Sequence, residues 1–152
     1  FGARRMLEGG VVRCLCDAYP TDGWSALIAC VDAEDDARAR GDETAALRLS
    51  GEFHLVMAEL TGNPIATTML RELVSRTVLA ITVHQRADAS NCRTHEHRRL
   101  IDLLRAGDAE GAGREMDEHL RALEQGLDLS PQPRGEASLR TVLQAALAAA
   151  PD

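Results

Sequence analysis

The sequence Thr94-His95-Glu96-His97-Arg98-Arg99-Leu100-Ile101-Asp102-Leu103-Leu104-Arg105-Ala106-Gly107-Asp108, continued by Glu115-Met116-Asp117-Glu118-His119-Leu120, reads as a helical hairpin. Gly107 supplies the left-handed turn that ends the first helix. Asp108 caps the second by accepting free backbone N–H groups. His97 then shares a face with Leu100, Ile101 and Leu104, and His119 shares one with Ala112, Met116, Leu120 and Leu123, all at spacings of three or four. Both imidazoles point inward. Ring nitrogens are costly to bury without a partner, so two of them on neighbouring apolar stripes ask for a common ligand.

Working outward, the chain of 152 residues is long enough for one domain with a real core. Hydrophobic residues make up 45% and aromatic ones only 3%, with Ala and Leu dominant. That mixture favours helices packed on helices over a sheet, so the class is all-α. The net charge of −7 leaves no basic face of the size that grips nucleic acid. Cys14, Cys16, Cys30 and Cys92 lack the paired C-x-x-C spacing of a zinc knot. With neither a signal peptide nor a transmembrane run, free thiols in a reducing cytoplasm are the expectation.

The first helix begins at once, with Arg4, Leu7, Val11, Leu15 and Ala18 on one face, and ends near Tyr19-Pro20; its abrupt start suggests sequence missing before residue 1. A second runs from about Trp24 to Arg40, with Leu27, Val31 and Ala37 inward and the Asp32-to-Asp36 cluster outward. Asp42 caps a third, whose inward positions are Ala46, Leu47, Ser50, Phe53, His54, Met57 and Leu60. The fourth, from about Pro64 to His84, turns Met69, Leu70, Leu73, Thr77, Ala80 and Ile81 inward. A polar loop, Gln85 to Asn91, leads to the hairpin. These elements make a domain over residues 1–129, followed by a linker at 130–135 and a last helix within 136–150, seven helices in all.

His54, His97 and His119 thus come from three helices, and a bundle can bring such side chains together at its centre. Neutral imidazole suits a divalent transition metal, zinc by default, with nickel or another ion as substitutes. The residues three before these histidines are Gly51, Thr94 and Met116, so the Glu-x-x-His pairs of a di-iron bundle are absent. His95, roughly 200° round the helix from His97, is expected in solvent. His84, at the last turn of its helix, is expected to cap or lie exposed.

Arg4-x-x-Leu7-Glu8, Phe53-His54 followed by Thr61-Gly62-Asn63-Pro64, Glu96-His97, Ala106-Gly107-Asp108 and Met116-x-x-His119-Leu120 occur in an order and spacing that resemble one family. It is the C-terminal effector-binding domain, called FCD, of GntR-type transcription regulators of the FadR subfamily, over Arg4 to about Leu123. The resemblance implies an antiparallel bundle of six to seven helices around a central pocket, homodimerisation, and a metal held by one Asp and three His with a small carboxylate bound at it. His54, His97 and His119 match the histidines. The Asp position, one turn before the first, holds Ser50, a neutral and weaker ligand. Three arrangements follow: a three-histidine site completed by solvent or effector, which is favoured, a site assisted by Ser50, or a pocket without metal. Arg4 would clamp the effector carboxylate, and Thr77 would line the pocket.

On this reading the chain is the sensing half of a cytoplasmic regulator whose winged-helix DNA-binding half precedes residue 1. It binds no membrane, and reaches DNA only through that half. Two alternatives stay open. One is a metal-dependent hydrolase built on the three histidines, disfavoured because no inward Asp or Glu is read beside them to act as base. The other is a purely structural dimerisation bundle.

Overall fold

The computed structural model describes residues 1–18, 23–86 and 94–130. Within them six helices follow one another: α1 (Gly2–Ala18), α2 (Trp24–Ala39), α3 (Glu43–Leu60), α4 (Pro64–His84), α5 (Thr94–Arg105) and α6 (Ala109–Gln125). The linker beyond Ser130, the helix expected within 136–150 and most of the loop to Asn91 lie outside the described residues.

Local chemistry sets the boundaries. Asp42 accepts from the Ala45 N–H, Asn63 from Ile65 and Ala66, and Asp108 from Gly111, so three helices open on a side-chain oxygen. Pro64 follows Asn63 as the first residue of α4, where its missing N–H costs nothing. Gly107 takes φ 70°, the left-handed conformation expected of it. Each cap therefore fixes where a helix starts, and hence which side chains meet in the centre.

α2 packs on α3, α1 on α6, α3 on α4 and α5 on α6, while α1 also touches α3, α4 and α5. Val11, Val12, Leu15, Leu27, Val31, Phe53, Met57, Leu70, Leu100, Leu104, Met116 and Leu120 form one continuous core. Past α6 the chain folds back on the end of α4, where Arg86 N–H donates to the Gly126 carbonyl and Asp128 N–H to that of His84. His84 is half-buried there and is not among the grouped histidines.

Three details differ from the sequence reading. Glu8, one residue from the stripe drawn for α1, is fully buried, whereas Ala18 is exposed. Glu34 sits inside the acidic run read as outward and is fully buried as well. Met69, assigned inward, is exposed, and Val74 is buried instead. α4 carries apolar residues almost all round, so periodicity alone does not select its buried side.

Candidate metal centre

α3, α5 and α6 each place one histidine at the middle of the bundle. His54 is seated by Phe53, whose ring lies edge-on to it at 5.6 Å and stacks on His97 at 4.3 Å. The imidazole centroids of His54, His97 and His119 are 4.8 to 5.3 Å apart. All three residues are at most 3% exposed. Each can offer a ring nitrogen within 4.8 Å of those of the other two. The sequence reading brought these three together, and His95 is exposed as expected.

What it missed is a ring of carboxylates. His54 Nδ1 donates to Glu8 Oε2 at 2.6 Å, His97 Nδ1 to Glu34 Oε2 at 2.9 Å, and His119 Nδ1 to Glu96 Oε2 at 2.7 Å. The expectation that no acid lies inward beside the histidines is therefore corrected. Two of the acids are themselves held by an arginine one turn away: Arg4 Nε donates to Glu8 Oε1, and Arg38 donates to Glu34 Oε1, both at 2.6 Å. A carboxylate engaged by both an arginine and an imidazole is a positioning group rather than a free base. The signal was present, since Arg4, Glu8, Val11 and Leu15 recur at four, three and four.

Electrostatics fix the tautomer. Burial alone would raise the Glu8 carboxyl, but His54 and Arg4 beside it overcome that and draw it down to about 2. Glu34 is lowered in the same way: burial opposes, and His97 and Arg38 prevail. Burial also pushes the imidazoles of His54 and His119 down, to about 4 and about 3, against the pull of Glu8 and Glu96. At neutral pH His54 and His119 are thus uncharged rings with the proton on Nδ1, and the Nε2 lone pair of each is turned away from its carboxylate.

Those Nε2 atoms of His54, His97 and His119 are buried without a hydrogen-bond partner, as are Arg4 Nη2 and Arg38 Nε. Three such ring nitrogens within 4.8 Å of one another make a donor set that one ion could share. Neutral imidazoles with carboxylate-bound Nδ1 suit a divalent transition ion, whose ordinary bond lengths of about 2.0–2.1 Å require the rings to draw slightly closer. Ser50 is half-buried on α3, one turn before His54. Thr77 is buried on α4, and its hydroxyl donates to the Leu73 carbonyl.

The family model described as the FCD domain matches residues 1–122, which span α1 to α5 and most of α6. The chain belongs to the FCD domain family. Among curated proteins, this FCD chain is 27% identical over 123 residues to the HTH-type transcriptional repressor NanR of Salmonella newport (strain SL254). The match covers 79% of the chain and 46% of that protein, so the chain spans about half the length of this relative. Two solved structures share the fold. Streptococcus agalactiae GntR superposes with TM-score 0.68 at 22% identity, over 82% of this chain and 56% of that one; E. coli McbR/YncC does so with TM-score 0.65 at 18% identity, over 81% and 65%. The FCD domain is a unit of transcription regulators and not of enzymes, which leaves the hydrolase alternative without support. No helix among the described residues is long and apolar enough to cross a membrane.

Proposed function

We propose that this FCD domain is the effector sensor of a GntR/FadR-type transcription regulator, binding a small carboxylate at a metal held by His54, His97 and His119. One observation carries the reading: three buried Nε2 atoms and the buried Arg4 Nη2 all lack a protein partner. The first three are ligands for a cation, zinc or nickel. The guanidinium is a donor for an anion.

When bound, the ion supplies a positive charge that a carboxylate can meet. The chain supplies the rest. Glu8, Glu34 and Glu96 orient the rings, Arg4 presents its free edge to the acid, Thr77 lines the pocket wall, and Ser50 stands where a fourth protein ligand would come from. With only neutral imidazoles as ligands, the ion keeps its full charge for the effector. Repression in the relative named above is assigned to a protein about twice as long, which supports a DNA-binding winged-helix half joined to this domain in a cytoplasmic homodimer. Effector binding then shifts the dimer between arrangements by its differential affinity for them.

The test is a thermal-shift series on the chelated chain with zinc, with nickel, and with acetate, succinate or benzoate added to each. A ligand confined to the folded form raises the melting temperature. The expected pattern is a rise with metal and a further rise with acid that Arg4→Ala removes while leaving the metal rise. An acid response that is unchanged without metal and without Arg4 defeats the proposal.

A further inference from the structure

His54, His97 and His119 are closed off from solvent, so an ion reaches their Nε2 atoms only when part of the bundle moves. The carboxylates behind the rings differ in this respect. The side chains of Glu8 and Glu34 are wholly buried, whereas that of Glu96 is 19% exposed. Of these six side chains it is the one that water reaches.

Glu96 and His97 both belong to the first turn of α5. His97 Nδ1 donates across to Glu34 of α2, and Glu96 accepts from His119 of α6. Two of the three ring–carboxylate pairs therefore end on this one turn, and swinging it outward parts both at once. Apart from the stack of His97 on Phe53, apolar packing does not hold it: the first buried apolar residue on α5 is Leu100, followed by Ile101 and Leu104, and His95 is exposed. A helix end held by polar contacts opens more readily than a helix body packed on a core. The Glu8–His54 pair is a poorer way in, because both partners and Arg4 behind them are buried.

One residue further along α5, an exposed contact repeats the tie to α2. Arg98 donates to Asp32 at 2.9 Å and to Asp35, which lie on either side of Glu34 in the chain. Their side chains are 47%, 58% and 37% exposed. Such a contact adds little to stability in high dielectric. It must nevertheless break each time the turn swings out, so its effect falls on the rate of opening.

We propose that ions enter and leave the three-histidine site through the first turn of α5, with Arg98 as the latch that holds this turn to α2. This rests on the metal centre put forward above and adds its route of entry. Stopped-flow kinetics of zinc with the 152-residue chain tests it, with uptake read by a fast fluorescent zinc indicator and release by mixing the loaded chain with excess chelator. Arg98→Gln removes the latch from the loaded and the empty chain alike. Uptake and release should therefore both quicken by about three- to tenfold, while their ratio, the affinity, stays within about twofold of wild type. Arg71→Gln, which loses an exposed pair with Glu59 instead, should exchange zinc like wild type. Salt screens exposed charges, so added sodium chloride should quicken release from wild type much more than from Arg98→Gln. Faster release without faster uptake would make Arg98 a prop of the loaded site and overturn the route. Exchange that is unchanged in Arg98→Gln also removes α5 as the entrance and leaves the metal centre standing. A wild-type chain that takes up no zinc ends the metal centre and the route together.

Discussion

Glu8 and His54 are 46 residues apart in sequence, yet Glu8 Oε2 accepts the His54 Nδ1 proton at 2.6 Å, with both side chains cut off from solvent. Arg4 holds the other oxygen of the same carboxylate. This three-residue relay orients the imidazole from behind, and Arg38, Glu34 and His97 repeat it on a second pair of helices.

Glu34→Gln keeps the size of the side chain and removes the charge that fixes the tautomer of His97. Zinc affinity should fall about 10- to 100-fold, the usual effect of losing a carboxylate behind a metal-bound histidine. Competition titration against a chromogenic chelator measures it. An affinity within a factor of two of wild type would mean that Glu34 does not orient a ligand.

Acid should destabilise the metal-free chain. The folded-state values of about 4 for His54 and about 3 for His119 lie below the 6.5 of a free imidazole, so the unfolded chain binds more protons. The stability they contribute is whole above about pH 6.5 and is lost as pH falls towards their folded values, by on the order of 3 to 5 kcal/mol for each histidine. Glu8, drawn to about 2, adds a loss in the same direction below about pH 4.5. Urea unfolding at pH 7, 5.5 and 4 in chelator reads this out as a falling midpoint. A flat profile contradicts buried neutral histidines.

Much of this was legible in the chain itself. Asp42, Asn63-Pro64 and Gly107-Asp108 announce helix starts and stops through local chemistry, and the three histidines recur at helical spacing with Leu and Met. Glu8 and Glu34 were not found, because a glutamate on a helix is ordinarily solvated, and the spacing of Arg4, Glu8, Val11 and Leu15 marks a buried face only once the histidine partner on another helix is known. Met69 was misplaced for the opposite reason: α4 has two apolar faces, and sequence alone does not say which one meets α3.

Phe53→Ala should cost about 3–5 kcal/mol, since the ring is wholly buried and stacks on His97. Equilibrium urea unfolding should show that loss together with weaker zinc binding, because the packing that seats two imidazoles is gone. Unchanged metal affinity in the folded fraction would separate the core from the site.

Ser50→Asp places a carboxylate one turn before His54. Zinc should bind at least about tenfold more tightly, because an anionic oxygen joins three neutral nitrogens, while the metal-free chain loses stability from a charge left half-buried. Isothermal titration of the variant beside wild type measures the first, and urea unfolding in chelator the second. Equal affinity would show that position 50 does not reach the ion.

The most direct measurement is the zinc stoichiometry and affinity of the chelated wild-type chain by isothermal titration, set beside His97→Ala and the variant with all three of His54, His97 and His119 replaced by alanine. One ion per chain is expected for wild type, sharply weakened binding for the single variant, and none for the triple. A wild-type chain that takes up no zinc or nickel, or a triple variant that still binds one ion per chain, would contradict a metal centre at the meeting point of α3, α5 and α6.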